Sequence, residues 1–553
     1  MDRRGLAWLG LAAAAVLGGC KGVNTTGPGA PTPPATAIIT PAIPNAATVS
    51  FEVHSDQSRS PISSLIYGIN SGDFTDPSIQ HLTFNRAGGN RMTAYNWETN
   101  ASNAGEDYLN QNDNYLGTST APVGVFTPMI QNTLAAGGSF LMTVPMAGYV
   151  AADENGGGDV NQTPDYIDVR FNVSSPRKGA PFSISPNLTD HHVYQDEFAN
   201  FLKLAYPAAF SGAGPQISFQ LDNEPDLWAT THPRIRGDAV GASGTPVTYA
   251  ELFQRTEDYA SALKDVAPNA LIYGPVSYGW EGYVTLQGAP DANGRDFIDA
   301  YLTEMQRYAN ANGRRIVDVL DLHWYPEARS TTNVRITAAD DTAPVVAARV
   351  QAPRSLYDPT YVENSWISQN VGAIDLIPRM MTKIATYYPG TKLSFSEYDY
   401  GGGANISGGV AEADALGIFG VQGVYSANYW PETTIHSFTL GGFAMFRNFD
   451  LNGAAFGDTS IKATTTDGVN TAIYASVDST NPGRMVIVMI NRSNAAVTTA
   501  TRIWHTQALT QAHAYQMSGV NSTPQDLGVV PINGDSLSMT LPAYSVTTIQ
   551  LKS

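Results

Sequence analysis

Two glutamates of this chain stand at the ends of apolar, strand-like runs. Glu224 lies in Phe-Gln-Leu-Asp-Asn-Glu-Pro-Asp-Leu-Trp over residues 219–228, and Glu397 lies in Leu-Ser-Phe-Ser-Glu-Tyr-Asp-Tyr over residues 393–400. A carboxylate at the C-terminal end of a barrel strand sits where α/β-barrel enzymes keep their chemistry. Two such carboxylates that converge are the minimum apparatus for cleaving a glycosidic bond. The pair therefore predicts a glycoside hydrolase, either retaining or inverting.

The neighbours of the two glutamates favour different roles. Asn223, next to Glu224, is suited to hydrogen-bond a sugar 2-hydroxyl, and the apolar Trp228 nearby would raise the pKa of Glu224 by desolvation. Tyr398, beside Glu397, would donate to that carboxylate and favour its ionised form. We predict that Glu224 is the general acid/base and that Glu397 is the nucleophile.

The elements that must position these residues are strands buried on both faces. Short apolar runs, most of them continuous rather than alternating, are separated by segments with mostly helical periodicity, which is typical of parallel strands in a (β/α)8 TIM barrel. The eight runs are Leu65–Asn70, Leu82–Arg86, Phe140–Pro145, Ile217–Asp222, Leu271–Gly274, Val319–His323, Leu393–Glu397 and Val424–Tyr429. Glu224 then follows strand four and Glu397 ends strand seven.

Polar and aromatic residues recur just after these runs, which predicts a substrate cleft at one rim of the barrel. Aromatic faces stack on pyranose rings, so at least Trp324 and one further tryptophan are expected there. A buried core position is the alternative for His323 and for about half of the tryptophans. The predicted substrate-binding residues are Asn223, Trp97, Tyr149, Trp228, His323, Trp324, Tyr398 and Trp430.

The two ends of the chain differ from the barrel. Beyond about Asn452, alternating strands and turn signals such as Asn481-Pro482-Gly483 predict a β-sandwich over 453–553. A strand within 46–60 is expected to pair with that sandwich, and the barrel is assigned to 61–452. The Pro/Thr-rich stretch over 20–45 is expected to be a semi-stiff linker.

The first twenty residues resemble a bacterial lipoprotein signal peptide. Arg3 and Arg4 precede an apolar stretch over 6–17, too short to span a bilayer, and Leu-Gly-Gly-Cys ends at Cys20, the only cysteine. Residues 1–19 would be removed and Cys20 lipidated. The protein is then exported and anchored to the bacterial outer membrane or cell surface; an ordinary secretory signal is the alternative.

Composition excludes several partners and chemistries. The 553 residues carry a formal net charge of −18, which argues against nucleic acid, whereas 14% charged and 10% aromatic residues fit an uncharged substrate. The chain has no thiol nucleophile after Cys20, no His-Glu-x-x-His zinc motif and no phosphate-binding glycine loop. The protein is expected to be a monomer.

Several motifs taken in order resemble glycoside hydrolase family 44. They are Leu221–Trp228 with Thr231–Arg234, Asp321–Pro326, Glu397–Gly403, Arg86–Arg91 with Tyr95–Asn100, and Val424–Trp430. The resemblance runs from about Ala46 to Ser553. It implies a barrel joined to a β-sandwich and a retaining endo-β-1,4-glucanase often also active on xyloglucan, with Glu224 and Glu397 as the catalytic pair. The partner that the resemblance implies is a β-glucan polysaccharide.

No cofactor is expected for catalysis, but a structural calcium ion is a hypothesis. The loop over 96–113 is rich in acidic and amide side chains, which suit Ca²⁺, and structural calcium occurs in the family resembled. The ligands we name are Glu98, Asp107 and Asp153, and a solvated loop without metal is the alternative.

Two rival functions remain open from the sequence. The same apparatus would serve for xylan, mannan or mixed-linkage glucan, because the cleft side chains decide the substrate. A surface lipoprotein that binds glucan without cutting it is the rival of another class, and the presence of both Glu224 and Glu397 weighs against it.

Overall fold

Eight parallel strands close into a barrel in the computed structural model, which describes residues 37–237, 243–431 and 435–553. Every strand overlaps one of the predicted runs, and the predicted (β/α)8 barrel is confirmed. Strand eight closes the barrel by pairing with strand one, Tyr429 opposite Ile69. The barrel strands are Gly68–Asn70, Phe84–Ala87, Ser139–Val144, Ile217–Leu221, Ile272–Ser277, Val319–Trp324, Lys392–Tyr398 and Ser426–Tyr429.

Helices follow most of the strands and cover the outside of the barrel. The helix Tyr249–Val266 starts where the Thr248 hydroxyl caps it by accepting from the Glu251 N–H at 3.0 Å, and Pro268 lies just beyond its end. The α-helices are Thr127–Ala135, Tyr166–Val169, Gln195–Ala205, Trp228–Thr231, Tyr249–Val266, Trp280–Thr285, Phe297–Asn312, Ala343–Arg349, Trp366–Val371, Leu376–Tyr387, Ile406–Gln422 and Ser437–Arg447.

Two small sheets decorate the rim that follows strands two and three. Ser102–Asn103 pairs with Asn112–Asp113, and Phe171–Ser175 lies between Tyr149–Ala151 and His192–Tyr194. These insertions extend the wall of the barrel on the side of strands two to four.

The C-terminal region is a separate, mostly β domain. Its strands are Thr459–Thr465, Thr471–Val477, Arg484–Asn491, Val497–Trp504, Gln511–Ser518, Asn521–Val529, Ser536–Leu541 and Ser545–Lys552. The early strand Val49–His54 lies between Thr459–Thr465 and Val497–Trp504 in the same sheet. Thr501 Oγ1 lies 3.9 Å from Met489 Sδ, although three other strands lie between their two strands in the sheet. The sheet therefore folds over on itself and encloses a core.

A buried ion pair joins the barrel to this domain. Asp414, on the helix Ile406–Gln422, accepts from Arg492 Nε at 2.9 Å and from the Tyr474 hydroxyl at 2.6 Å. Neither side chain of the Asp414–Arg492 pair is exposed. Gly417 on the same helix allows the close approach, since a Cβ there would lie 2.2 Å from the Tyr474 ring.

The N-terminal predictions fall largely outside the described residues. The signal peptide over 1–19, Cys20 and most of the linker lie in that part of the chain. The end of the linker contacts the C-terminal domain, where the Ile39 N–H donates to the His505 carbonyl at 2.8 Å and the Ala42 N–H to that of Gly534. Within the described residues, no helix combines the length and apolar character needed to cross a bilayer.

Candidate active site

The carboxylates of Glu397 and Glu224 meet at the C-terminal rim of the barrel, with His323 between them. His323 Nδ1 lies 2.9 Å from Glu224 Oε1 and 3.4 Å from Glu397 Oε2. One oxygen of each carboxylate and one ring nitrogen of His323 all lie within 4.8 Å of one another. Strands four, six and seven supply these residues, as the positions after their apolar runs predict.

Glu397 is held by a guanidinium and a phenol. Arg86 Nη1 donates to Glu397 Oε1 at 2.6 Å, and the Tyr325 hydroxyl donates to Glu397 Oε2 at 2.7 Å. Burial alone opposes the charged form of Glu397, but the charges of His323 and Arg86 and the hydrogen bonds from Arg86 and Tyr325 outweigh it and lower its pKa. Glu397 is therefore the carboxylate suited to attack.

Glu224 occupies the opposite electrostatic setting. Burial raises its pKa, and the negative charge of Glu397 adds to this rise, while the hydrogen bond and charge of His323 oppose it. Its side chain remains 14% exposed, so the carboxyl group reaches the cleft. The arrangement separates the pKa values of the two carboxyl groups in the way that an acid and a nucleophile require.

The backbone at Glu224 adopts the left-handed region, with φ +46°, and Asp222 does so with φ +68°. Asp222 supports this turn, because its buried carboxylate accepts from the N–H groups of Met146 and Asn223 and from the Trp228 indole. The turn projects Glu224 away from the strand direction into the cleft, a use of strained backbone common at catalytic sites.

Asn223 is close to the pair, and its amide is already oriented. Its Oδ1 accepts from Arg86 Nη2 at 2.8 Å and from the Gly89 N–H at 3.1 Å. Its Nδ2 group donates to Asn90 Oδ1 at 3.4 Å. The structure thus brings Asn223 and His323 together with the two glutamates.

Trp324, predicted to stack on sugar, and Tyr398, predicted to donate to Glu397, both face away from the pair, because neighbouring residues of a strand point to opposite faces. His323 and Tyr325 face Glu397, so Trp324 between them faces outward and is only 2% exposed. Tyr398 likewise turns away from Glu397, and its hydroxyl donates to Glu412 Oε1 at 2.6 Å. Tyr325, two residues after His323, supplies the phenol that we had assigned to Tyr398.

The other predicted aromatic residues divide between core and cleft. Trp97 stacks on Phe198, with ring centroids 5.5 Å apart, and both Trp97 and Trp228 are completely buried. Tyr149 is half-buried at the start of a short strand of the rim insertion. Trp430 lines a cavity of about 880 Å³, whose walls include Asn70 and Gly89.

The same cavity identifies residues that the sequence did not single out. Tyr108 and Tyr115 are 56% and 75% exposed and line it opposite Trp430, and Arg91 lies 4.1 Å from the Tyr115 ring centroid. Arg86 was predicted as the end of a strand and the start of a family motif, but not as a contact of Glu397. The available signal was a charged residue within an apolar run, because a charged side chain is rarely buried without a partner.

The three predicted calcium ligands are not brought together. Asp107 accepts from Asn90 Nδ2 at 2.9 Å, and Asp153 is paired with Arg170 at 2.6 Å. Glu98 differs: its Oε2 is buried without a hydrogen-bond partner, and burial, with the charges of Asp190 and Glu197, raises its pKa to about 8. Among the described residues, Glu98 fits a cation, whereas Asp107 and Asp153 are occupied by other partners.

Comparisons with known proteins agree with this geometry. The model of glycoside hydrolase family 44 matches residues 101–328. Endoglucanase A of Paenibacillus lautus is 38% identical over 543 residues, covering 93% of this chain and 74% of that protein. A family 44 xyloglucanase of Paenibacillus polymyxa with xyloglucan has a TM-score of 0.86 and 36% identity, covering 91% of this chain and 99% of that one.

A family 44 endoglucanase from Clostridium thermocellum has a TM-score of 0.85 and 38% identity, covering 92% of this chain and 100% of that one. The fold and the paired carboxylates define a (β/α)8 glycoside hydrolase. The chain belongs to glycoside hydrolase family 44, as its motifs predict. These relatives support the predicted endo-β-1,4-glucanase or xyloglucanase activity.

Proposed function

We propose that the protein cleaves internal β-1,4 bonds of cellulose-type glucans and xyloglucan with retention of configuration, Glu397 being the nucleophile and Glu224 the acid/base. The observation that supports this most directly is the closeness of the two carboxylates, whose nearest oxygens lie within 4.8 Å. Retaining enzymes place their carboxyl groups about 5–5.5 Å apart, whereas inverting enzymes need about 6.5–9.5 Å to admit water between them.

In the first step, Glu397 Oε2 or Oε1 attacks the anomeric carbon while Glu224 transfers its proton to the departing oxygen. Arg86 and Tyr325 favour the ionised form of Glu397 and align it before attack, and burial raises the pKa of Glu224, which favours its protonated form. A covalent glycosyl-enzyme forms and the leaving glucan chain departs with the proton. In the second step Glu224 accepts a proton from water, whose oxygen attacks the anomeric carbon and releases Glu397.

His323 suits both steps because its Nδ1 lies between the carboxylates and donates to them when it carries the proton. It lies 2.9 Å from Glu224 Oε1, so it stabilises the charge that Glu224 acquires after giving up its proton. Its distance of 3.4 Å from Glu397 Oε2 is longer, in keeping with the two donors that Glu397 already has.

The substrate preference is supported by the 880 Å³ cavity beside the pair. Trp430, Tyr108 and Tyr115 present aromatic surface there, which favours stacking on sugar rings of an uncharged chain. Product profiling on xyloglucan, carboxymethyl cellulose, lichenan, mannan and xylan tests it. Fastest release of reducing ends from xylan or mannan would overturn the glucan preference, and release from none would favour a binding protein.

The catalytic roles are tested with two substitutions. Glu397→Gln should abolish turnover, and near-normal activity of this variant would refute the nucleophile assignment. Glu224→Gln should slow the first step much less for an aryl glycoside with a good leaving group than for an unactivated glucan, since protonation matters less there. NMR of the first-formed product distinguishes retention from inversion.

A structural calcium ion at Glu98 is also proposed. Glu98 Oε2 and Glu197 Oε2 are both buried without hydrogen-bond partners, and the charge of Asp190 acts on Glu98 as well. Among the causes of the pKa shift of Glu98, the one positive charge is that of Lys178. A divalent cation would neutralise this group of carboxylates. EDTA should lower the Tm of the wild type and calcium should restore it.

The matched variants Glu98→Gln and Asp153→Asn separate the calcium hypotheses. Glu98→Gln should remove the calcium dependence of the Tm, whereas Asp153→Asn should lower the Tm through its Arg170 pair and leave that dependence intact. Metal analysis of the purified protein gives an independent measurement. A Tm that ignores both EDTA and calcium would refute the site.

Export as a lipid-anchored monomer is proposed from residues 3–20, whose basic, apolar and Leu-Gly-Gly-Cys pattern supports lipidation of Cys20. Cys20→Ser should move the protein from the membrane fraction to the soluble fraction and abolish labelling by a fatty-acid analogue. Unchanged fractionation would refute the anchor. Light scattering of the protein lacking residues 1–20 tests the monomer.

A further inference from the structure

Gln220, at the centre of the barrel, links Arg86 to a second buried carboxylate. Its Oε1 accepts from Arg86 Nε at 2.6 Å and from Thr143 Oγ1 at 3.0 Å. Its Nε2 donates to Asp321 Oδ2 at 2.6 Å and to Ser396 Oγ at 2.7 Å. The four partners of the Gln220 amide, namely Arg86, Thr143, Asp321 and Ser396, are all buried. The amide oxygen accepts two hydrogen bonds and the NH₂ group donates two, so its hydrogen-bonding capacity is fully used.

Asp321 determines which way the amide of Gln220 points. An ionised carboxylate only accepts hydrogen bonds, so it selects the NH₂ group of Gln220. The other oxygen, Asp321 Oδ1, accepts from the Ser396 N–H at 3.1 Å, which holds the carboxylate in place. With the NH₂ group on Asp321, the oxygen of Gln220 must face Arg86.

The orientation of Gln220 in turn holds Arg86. The guanidinium donates through Nε to Gln220, through Nη1 to Asn70 Oδ1 at 2.9 Å and Glu397 Oε1 at 2.6 Å, and through Nη2 to Asn223 Oδ1. If the amide turned over, its NH₂ group would face the Nε–H of Arg86, donor against donor. Arg86 would then move, and the bond to Glu397 would lengthen.

We propose that Asp321 is a positioning residue for the nucleophile, acting through the amide of Gln220 on Arg86 and so on Glu397. The inference rests on the proposed role of Glu397. Asp321 touches neither Glu397 nor Glu224 in any hydrogen bond of the described residues, so its effect passes through Gln220.

The sign of one pH effect separates this relay from simple electrostatics. Removal of a nearby negative charge would, by itself, lower the pKa of Glu397. Asp321→Asn should do the opposite, because the single oxygen of the new amide can accept either from the Ser396 N–H or from Gln220 Nε2, not from both. Gln220 then loses its fixed orientation, Arg86 is displaced, and the pKa of Glu397 rises.

The experiment is the pH profile of kcat/KM on an activated aryl β-cello-oligosaccharide, for which protonation by Glu224 matters little. The other groups that face Glu397, namely Arg86, His323, Tyr325 and Glu224, are unchanged in the variant. Asp321→Asn should move the acid limb up by about one pH unit and lower kcat/KM at the optimum at least about tenfold. Asp414→Asn is the matched control, since it neutralises another buried aspartate and should leave the acid limb in place.

Gln220→Met provides a second variant of similar volume that cannot form the relay. It should also raise the acid limb, and the double variant with Asp321→Asn should lose no more than Gln220→Met alone, since both act through one amide. An acid limb that stays or moves down, or losses that add, would overturn the relay. Inactive wild type, or an active Glu397→Gln, would instead refute the proposed function.

Discussion

Replacement of Tyr325 by phenylalanine tests how Glu397 is kept ionised. The Tyr325 hydroxyl donates to Glu397 Oε2 at 2.7 Å, next to the Arg86 bond on Oε1 at 2.6 Å. The ring of phenylalanine retains the shape of the site and removes only the donor. Because the hydrogen bond stabilises the charged form of Glu397, its loss raises the pKa of that carboxyl group.

The expected magnitude follows from the strength of such bonds. A hydrogen bond to a charged group contributes about 1.5–3 kcal/mol, and one pH unit corresponds to about 1.36 kcal/mol. The acid limb of kcat/KM should therefore move up by about one to two pH units. Arg86 and His323 remain, so the group keeps part of its lowered pKa.

The assay is the pH profile of kcat/KM on an activated aryl cello-oligosaccharide, together with the Tm of each variant. Below the new limb, the rate should fall about tenfold for each pH unit. Tyr474→Phe is the matched control: its hydroxyl donates to the buried Asp414 at 2.6 Å, so its loss should lower the Tm and leave the acid limb unchanged. An acid limb of Tyr325→Phe within about 0.3 pH units of the wild type would refute the reasoning.

Three further predictions concern buried carboxyl groups. Asp414→Asn leaves Arg492 buried without its counter-ion and should reduce the free energy of unfolding by about 3–5 kcal/mol. Urea denaturation measures this change, and a reduction below about 1 kcal/mol would contradict the importance of the pair. Burial raises the pKa of Glu412 from 4.5 to about 8. Between these two pH values Glu412 ionises in the unfolded chain only, so the free energy of unfolding decreases as the pH rises from about 4.5 to 8. Glu412→Gln should lack that loss, and its free energy of unfolding should exceed that of the wild type by about 3 kcal/mol near pH 7. Equal free energies of unfolding for wild type and variant between about pH 5 and 8 would exclude this. Since the pKa of Glu224 is raised and its protonated form is needed, kcat/KM on unactivated glucan should fall as pH rises through that pKa, and Glu224→Gln should lack this alkaline limb.

The sequence was a good guide to the barrel because parallel strands buried on both faces leave an unmistakable pattern. All eight predicted runs contain or overlap a barrel strand. The pattern also placed Glu224, His323 and Glu397 at one rim, since the C-terminal ends of parallel strands converge there.

Side-chain direction at the strand ends was harder to predict. Trp324 and Tyr398 adjoin active-site residues in the chain but face the opposite side of their strands, whereas Tyr325 faces Glu397. The register near these residues is irregular, with shifts in the pairing of strands six and seven beside His323. A one-residue change in register reverses the direction of every side chain that follows.

By itself, the sequence determined the class of fold, the two carboxyl groups and the family, because these depend on local periodicity and on short motifs. The tertiary structure decided which glutamate has the lowered pKa and how it is held. Arg86 reaches Glu397 from a strand more than 300 residues away in the chain, and Asn70 accepts a hydrogen bond from the same guanidinium. The opposite pKa shifts of Glu224 and Glu397 arise from burial and from charged and hydrogen-bonding neighbours such as Arg86 and His323. Such electrostatic interactions depend on distances in space, which sequence separation does not specify.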